Sequence, residues 1–247
     1  MEANRNIIMS LFGTGATGTT VEKEQDFNKR TLDTNIYKGK IKMAFADKSS
    51  GGAAAVVLQL ALESGKIYDE TVYVSNKLGK NTYEKEVSGE KKEFYLPGFL
   101  LMNNLAIMAC NKSLHDLAAE VGVRTVKVRD WEAKADVLKD VQAIIPMLDK
   151  DVLVAIQEEE YEKTTYDEAS KKRVGTGEYG IKNVLVKVYN PETRQTAVEM
   201  RDDKEAAQAD AWLKTYGGKL KEADRSKGGS PNQKTLAAAP TTPSGLF

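Results

Sequence analysis

The chain has 247 residues, enough to bury a sizeable core, with 29% charged and 7% aromatic residues. Its 36 Lys and Arg balance 36 Asp and Glu, which excludes a bulk positive field and leaves a local stripe of cations as the only electrostatic means of holding a polyanion. A single cysteine and a single histidine exclude an internal disulfide and a histidine-rich metal site. The start, MEANRNIIMSLF, lacks the basic region and long apolar core of a secretory leader. No apolar run approaches the roughly 20 residues needed to cross a bilayer, so the expectation is a soluble cytoplasmic chain with no membrane partner.

Residues 1–33 read as an arm: a short apolar piece, a Gly/Thr-rich loop and a charged segment. Gly13-Thr-Gly15-Ala-Thr-Gly18 matches the GxGxxG dinucleotide fingerprint. The segment that follows, TTVEKEQDFNKR, offers only Val21 and Phe27 to a packed helix, and no strand ending in a carboxylate comes about 20 residues on. A flexible loop is the better reading, and an enzyme built on Gly13–Gly18 is the weakest alternative.

Residues 35–76 predict a three-stranded meander. In the first strand Tyr37, Ile41, Met43 and Phe45 share one parity while Lys38, Lys40 and Lys42 share the other, which predicts an apolar face and a basic one. Residues 53–62 are almost wholly apolar, as in a strand buried on both faces, with Gly51-Gly52 and Ser64-Gly65 as turns. Residues 67–75 are rich in Thr, Val and Tyr. Residues 76–99 alternate lysines with Tyr83, Phe94 and Tyr95 around Gly79 and Gly89, and predict a projecting basic, aromatic hairpin.

Residues 100–120 have helical periodicity through Leu101, Leu105, Met108, Leu114 and Leu117, with Gly122 as the stop signal. A short strand is expected at 123–129, a charged segment at 131–139, and a strand at 152–157 after Ala-Ile-Ile-Pro-Met-Leu. Residues 158–180 read as a long polar connection, and 181–189 with 195–200 as a closing hairpin about Asn190-Pro191. A helix is expected at 203–216, and from Gly217 the Gly/Ser/Pro/Ala/Thr/Lys composition predicts a disordered, net-positive tail ending in Leu246 and Phe247.

The domain expectation is therefore an arm (1–33), a binding domain (34–202) with an insertion (76–150), a C-terminal helix (203–216) and a tail (217–247). Three meandering strands, a helix and two further strands follow the order of an OB-fold barrel, whose loops between strands 1 and 2 and between strands 4 and 5 flank the oligonucleotide-binding face. The fold expectation is mainly β (α+β): an OB-fold-like, curled five-stranded barrel with a helical insertion and a disordered C-terminal tail. A different curled sheet with helices on one side fits the same pattern.

Cys110 and His115 lie five residues apart on the expected helix and point in different directions, with no third group to form a catalytic relay. Glu158-Glu159-Glu160 reads as the solvated end of a strand. Neither supports an enzyme, a metal or a cofactor. Binding a single strand without sequence preference needs cations for phosphates and aromatic faces for bases. Lys38, Lys40, Lys42 and Lys48 are the phosphate candidates, and Tyr73, Tyr83 and Tyr95 the stacking candidates. Lys77, Lys80, Lys91 and Lys92 would clamp from the hairpin, and Lys171, Lys172 and Arg173 would close the groove from the loop between the last two strands. The competing reading is a set of solvated strand faces and hairpin tips.

DKSSGGAAAVVLQLAL (47–62), DETVYVSNKLGKNTY (69–83), YLPGF (95–99), and IIPML followed by DVLVAIQ resemble the single-stranded DNA-binding proteins of tailed bacteriophages, above all those of N4-like podoviruses. The resemblance spans roughly residues 35–200. It implies an OB-type protein of the host cytoplasm that coats single-stranded DNA in phage replication and recombination, as a homo-oligomer along the strand, and that touches the transcription machinery. Related phage proteins end in an acidic tail with a terminal aromatic that contacts replication partners. Phe247 matches the aromatic, whereas the tail here is basic. Phage replication proteins or an RNA polymerase are thus expected partners of the Leu246–Phe247 tip, and a regulator that mainly recruits a polymerase is the alternative function.

Overall fold

The computed structural model describes residues 31–130 and 134–225. The Gly13–Gly18 loop and the Leu246–Phe247 tip lie outside the described residues. The fold is mainly β, with antiparallel sheets and a smaller share of helix.

Strand β1 (Asn35–Lys48) is the spine. Along one edge it pairs with β2 (Ala54–Leu62), which pairs in turn with β3 (Ile67–Tyr73). Its other edge forks. Residues 35–40 pair with β8 (Asp151–Asp167), and Phe45 and Ala46 pair with β7 (Ala135–Ile144). Outside these, β6 (Val121–Asp130) pairs with β7, and β9 (Lys172–Tyr189) with β8. On the β2 side Gly39 is crowded: a Cβ there would stand 2.6 Å from the Ala61 carbonyl oxygen, so only glycine allows this close approach.

Strict alternation along β1 fails at one point. The register slips between Ile41 and Met43, leaving Lys42 as the extra residue of a bulge. Ile41 and Ala44 consequently face the main core, whereas Met43 and Phe45 turn to the opposite face, with Val57, Val141 and Ala143. The sequence parity that grouped Phe45 with Ile41 is corrected by that single insertion. The apolar β2 is explained in the same way: Val56, Leu58, Leu60 and Leu62 enter the main core, while Ala55 and Val57 pack on the outer face.

Helix α1 (Pro97–Cys110) packs against β3, β8 and β9, with its Met102, Leu105 and Ala106 fully buried. Each large side chain of this kind contributes about 1.5–3 kcal/mol on leaving water. Pro97 occupies the first helical turn, where its missing N–H costs nothing. The helix stops at Asn111 in the left-handed conformation (φ 54°), not near Gly122, which lies in β6 opposite Ala143. Residues 113–117 restart as α2 (Leu114–Leu117) behind a Ser113–Asp116 capping box.

The expected five strands are exceeded: seven form the main sheet, and β4 (Thr82–Val87) with β5 (Glu90–Tyr95) forms a separate ribbon. The sheet is not closed into a barrel. Between β3 and β9 the Glu70 carboxylate accepts the Leu185 N–H at 3.2 Å and a very short hydrogen bond from the Tyr68 hydroxyl, beside the shared core of Tyr68, Val72, Leu185 and Val188. Burial, reinforced by that carboxylate, pushes the Tyr68 hydroxyl pKa far above its ordinary value.

Three further expectations are corrected in the second half. Residues 158–180 are not a loose connection but the outer part of the long β8–β9 ribbon. Residues 195–200 do not pair back as a strand, because Thr196 caps α3 (Ala197–Arg201), and the last helix is the shorter α4 (Gln208–Tyr216). Residues 217–225, read as the start of a disordered tail, run beside β8: Lys221 N–H donates to Glu158 O and Glu160 N–H to Lys221 O, each at 2.9 Å. The Glu158–Glu160 run is therefore not a solvated end. Thr31 Oγ1 donates to Glu158, Lys221 pairs with Glu159 at 2.6 Å, and Arg225 with Glu160 at 3.2 Å.

Glu199 organises the turn between α3 and α4. Burial opposes its charge, but N–H donation from Thr196, Ala207 and Gln208 and the Thr196 hydroxyl outweigh that and pull its pKa down to about 2. A lowered folded-state pKa gives stability that is present above the ordinary value of about 4.3 and lost as the pH falls towards 2. Glu199→Gln is expected to cost about 1–3 kcal/mol at neutral pH. In urea titrations the gap to wild type should shrink between about pH 4.3 and 2; a gap that persists at acid pH would assign the loss to packing instead.

Candidate nucleic-acid interface

The lysine stripe of β1 is exposed as expected, but it is charge-balanced. Lys38 faces Glu63 at 3.5 Å, Lys40 faces Asp151 at 2.8 Å and Lys42 faces Asp149 at 3.4 Å. The Lys40 hydrogen bond holds the Asp151 carboxyl below the usual range. Exposed pairs of this kind contribute little, so a phosphate can displace them, but their carboxylates cancel most of the stripe's pull. At the end of the same sheet, Lys48 follows the bend of β1 into the β1–β2 turn. The Lys77 stem lies over that turn, its Cε 3.1 Å from where a Cβ of Gly51 would stand. Lys80 closes the neighbouring Asn76–Lys80 loop, whose backbone N–H groups at 78 and 80 donate to the Asn76 side chain.

The β4–β5 ribbon is exposed along nearly its whole length. Antiparallel partners share a face, so its register separates two chemistries. One face carries Tyr83 opposite Phe94, Lys85 opposite Lys92 and Val87 opposite Glu90, whose carboxylate stands 3.7 Å from the Lys92 ammonium and leaves Lys85 as its unbalanced cation; the other carries Thr82 opposite Tyr95, Glu84 opposite Glu93 and Glu86 opposite Lys91. The Tyr83 and Phe94 rings stand 6.0 Å apart, tilted by 33°, and remain 41% and 38% exposed. Buried apolar side chains need no explanation, but two adjoining exposed rings beside two ammonium groups do. Lys91 and Tyr95 thus separate from Tyr83 and Lys92, with Lys91 3.9 Å from Glu84. Tyr95 stacks on Phe99 (5.3 Å, 28°) at the ribbon's base, where the start of α1 meets the Tyr73 backbone. Tyr73 itself points outward from β3, 52% exposed.

Lys171, Lys172 and Arg173 sit at the tip of the β8–β9 ribbon, Lys171 in the left-handed conformation of the turn (φ 51°). Arg173 pairs across from Tyr166, which is 52% exposed, and its Nη1 reaches Thr164 Oγ1 at 3.4 Å. Lys85 and Phe94 belong to the basic, aromatic hairpin expected from the sequence but were not among its contact candidates, and Tyr166 was not singled out at all. Strand register is the signal that would have found them.

Cys110 Sγ donates to the Pro146 carbonyl oxygen at 3.3 Å, and burial raises its thiol pKa, the reverse of an activated nucleophile. Among the described residues no group of three or more His, Cys, Asp or Glu is placed to hold a metal ion, and no helix is long and apolar enough to cross a membrane. No known family model matches the chain, and no curated protein matches it in sequence.

Proposed function

We propose that this chain binds single-stranded DNA without sequence preference, through exposed ribbons rather than through the charge-balanced stripe on β1. The observation that carries the reading is the β4–β5 face, where Tyr83, Phe94, Lys85 and Lys92 lie together and open to solvent. Bases stack on such rings for about 1–3 kcal/mol each, and the neighbouring ammonium groups neutralise phosphates. The resemblance to phage single-stranded DNA-binding proteins supports the same reading, and with it a non-enzymatic coating role in replication and recombination in the host cytoplasm. On this view the β1–β2–β3 meander, α1 and the β8–β9 ribbon form an OB-like arrangement left open between β3 and β9, with Lys48 and Lys171–Arg173 in the two flanking loops.

Fluorescence anisotropy with labelled oligo-dT, matched duplex and RNA at about 50 and 200 mM salt tests it. Tight oligo-dT binding that falls steeply with salt, with duplex far weaker, is expected. Alanine at Lys171, Lys172 and Arg173 together should flatten the logarithmic salt slope by about 2, since each phosphate contact on a single strand contributes about 0.7. Equal, weak binding to all three ligands would overturn the reading, and an unchanged slope would remove the ribbon tip from the site.

A further inference from the structure

A cleft of about 580 Å³ lies on the outer side of β8 and β9, beneath α4 and the segment that follows it. Its floor is Gln157 and Lys187; Trp212 and Tyr216 form one wall, and Lys219 and Lys221 another. The fold places these residues together for clear reasons. Gln157 follows Leu153 and Ala155 on the outer face of β8, and Trp212 anchors α4 against those two. The 217–221 segment then turns back along β8 and delivers its lysines to the rim.

The charges are unequal. Lys221 is paired with Glu159 at 2.6 Å, and Lys219 Nζ donates to the Thr215 carbonyl oxygen at 2.6 Å. Lys187 is half-buried and has no ion pair or side-chain hydrogen bond among the described residues. A half-buried ammonium forfeits hydration and persists most readily where an anion can restore it. Gln157, 8% exposed, adds an amide that can both donate and accept. Tyr216, 43% exposed, holds a free ring surface 5.6 Å from the Trp212 ring. An anion, a planar ring and a hydrogen-bonding edge, in a space within the range of small-ligand sites, describe a nucleotide.

We infer that this cleft is a second binding site, distinct from the ribbons, for a nucleoside 5′-phosphate, with the phosphate on Lys187 and Lys219, the base against Tyr216 and its polar edge at Gln157. Two sources share that chemistry: a free mononucleotide and the 5′-phosphorylated end of a strand. The inference does not depend on the ribbons binding DNA.

The test uses the full chain carrying Trp131→Phe, which leaves Trp212 as the only indole. Saturable quenching by dTMP is expected, with thymidine at least tenfold weaker because it lacks the charge-assisted contacts. Lys187→Ala should weaken dTMP by roughly tenfold or more, Lys187→Arg should retain it, and both should unfold at the wild-type temperature. Ribbon variants should leave it unchanged. Displacement of dTMP by 5′-phosphorylated but not unphosphorylated oligo-dT supports the strand end as the source, and retention of dTMP supports the free nucleotide. Absence of saturable quenching at millimolar dTMP, or equal affinities for thymidine, dTMP and the Lys187→Ala variant, would overturn the site while leaving the ribbon reading intact.

Discussion

Alanine at both Tyr83 and Phe94 is expected to weaken oligo-dT binding by at least about 30-fold, since each ring contributes about 1 kcal/mol or more to stacking. The thermal midpoint of the folded core should stay where it is. β4 and β5 pair only with each other, outside the main sheet, so truncating their exposed rings opens no cavity. The internal control is the opposite face: Glu84→Ala with Glu93→Ala removes two carboxylates from the same ribbon and should leave binding unchanged or tighten it at low salt. Equal losses from both faces would mean that the ribbon frays and that its rings have no stacking role. Full affinity in the Tyr83/Phe94 variant would sink the ribbon as the binding element.

The sequence already carried the meander of residues 35–76, because alternation and the two glycine-bearing turns are local signals. It also carried the composition of the hairpin at 76–99. Its sidedness was hidden, since Lys91 and Lys92 are neighbours in sequence but face opposite ways, and only the pairing of Tyr83 with Phe94 sorts them. The neutralisation of Lys38, Lys40 and Lys42 was equally invisible. Asp151 lies 111 positions from Lys40 and meets it through the β1–β8 pairing, Asp149 lies 107 positions from Lys42 in the turn before β8, and Glu63, which faces Lys38, is brought there by the β1–β2 pairing. Past Glu160, the stretch 158–180 misled by composition: a solvated two-stranded ribbon has no buried face, so its sequence is as polar as a loop. Residues 217–225 misled for a related reason, because this segment is held by backbone hydrogen bonds and by Glu159 and Glu160, which leave no apolar periodicity.

The position at which the two halves of the candidate interface depend on the core is Gly98. It lies in the first turn of α1, one residue after Pro97, and a Cβ added there would stand 2.2 Å from the Tyr73 carbonyl oxygen, 3.1 Å from Val72 Cγ1 and 3.2 Å from the Tyr73 carbonyl carbon. A side-chain end could swing away, but the end of a paired strand cannot. Open helical sites gain about 1 kcal/mol on going from Gly to Ala, so the sign of the effect tests the contact directly. Gly98→Ala is expected to cost more than about 3 kcal/mol, above the ordinary range for overpacking, because α1 must lift off β3 and carry Met102, Leu105 and Ala106 out of register with the sheet. In a thermal scan that is a fall of at least about 6–12 °C. Tyr73 at the end of β3 and Tyr95 at the base of the ribbon adjoin that contact, so oligo-dT affinity should fall even at temperatures where the variant remains folded. A stabilised Gly98→Ala protein would mean that α1 does not rest on β3, and the alignment of the ribbon with the meander would then need another origin.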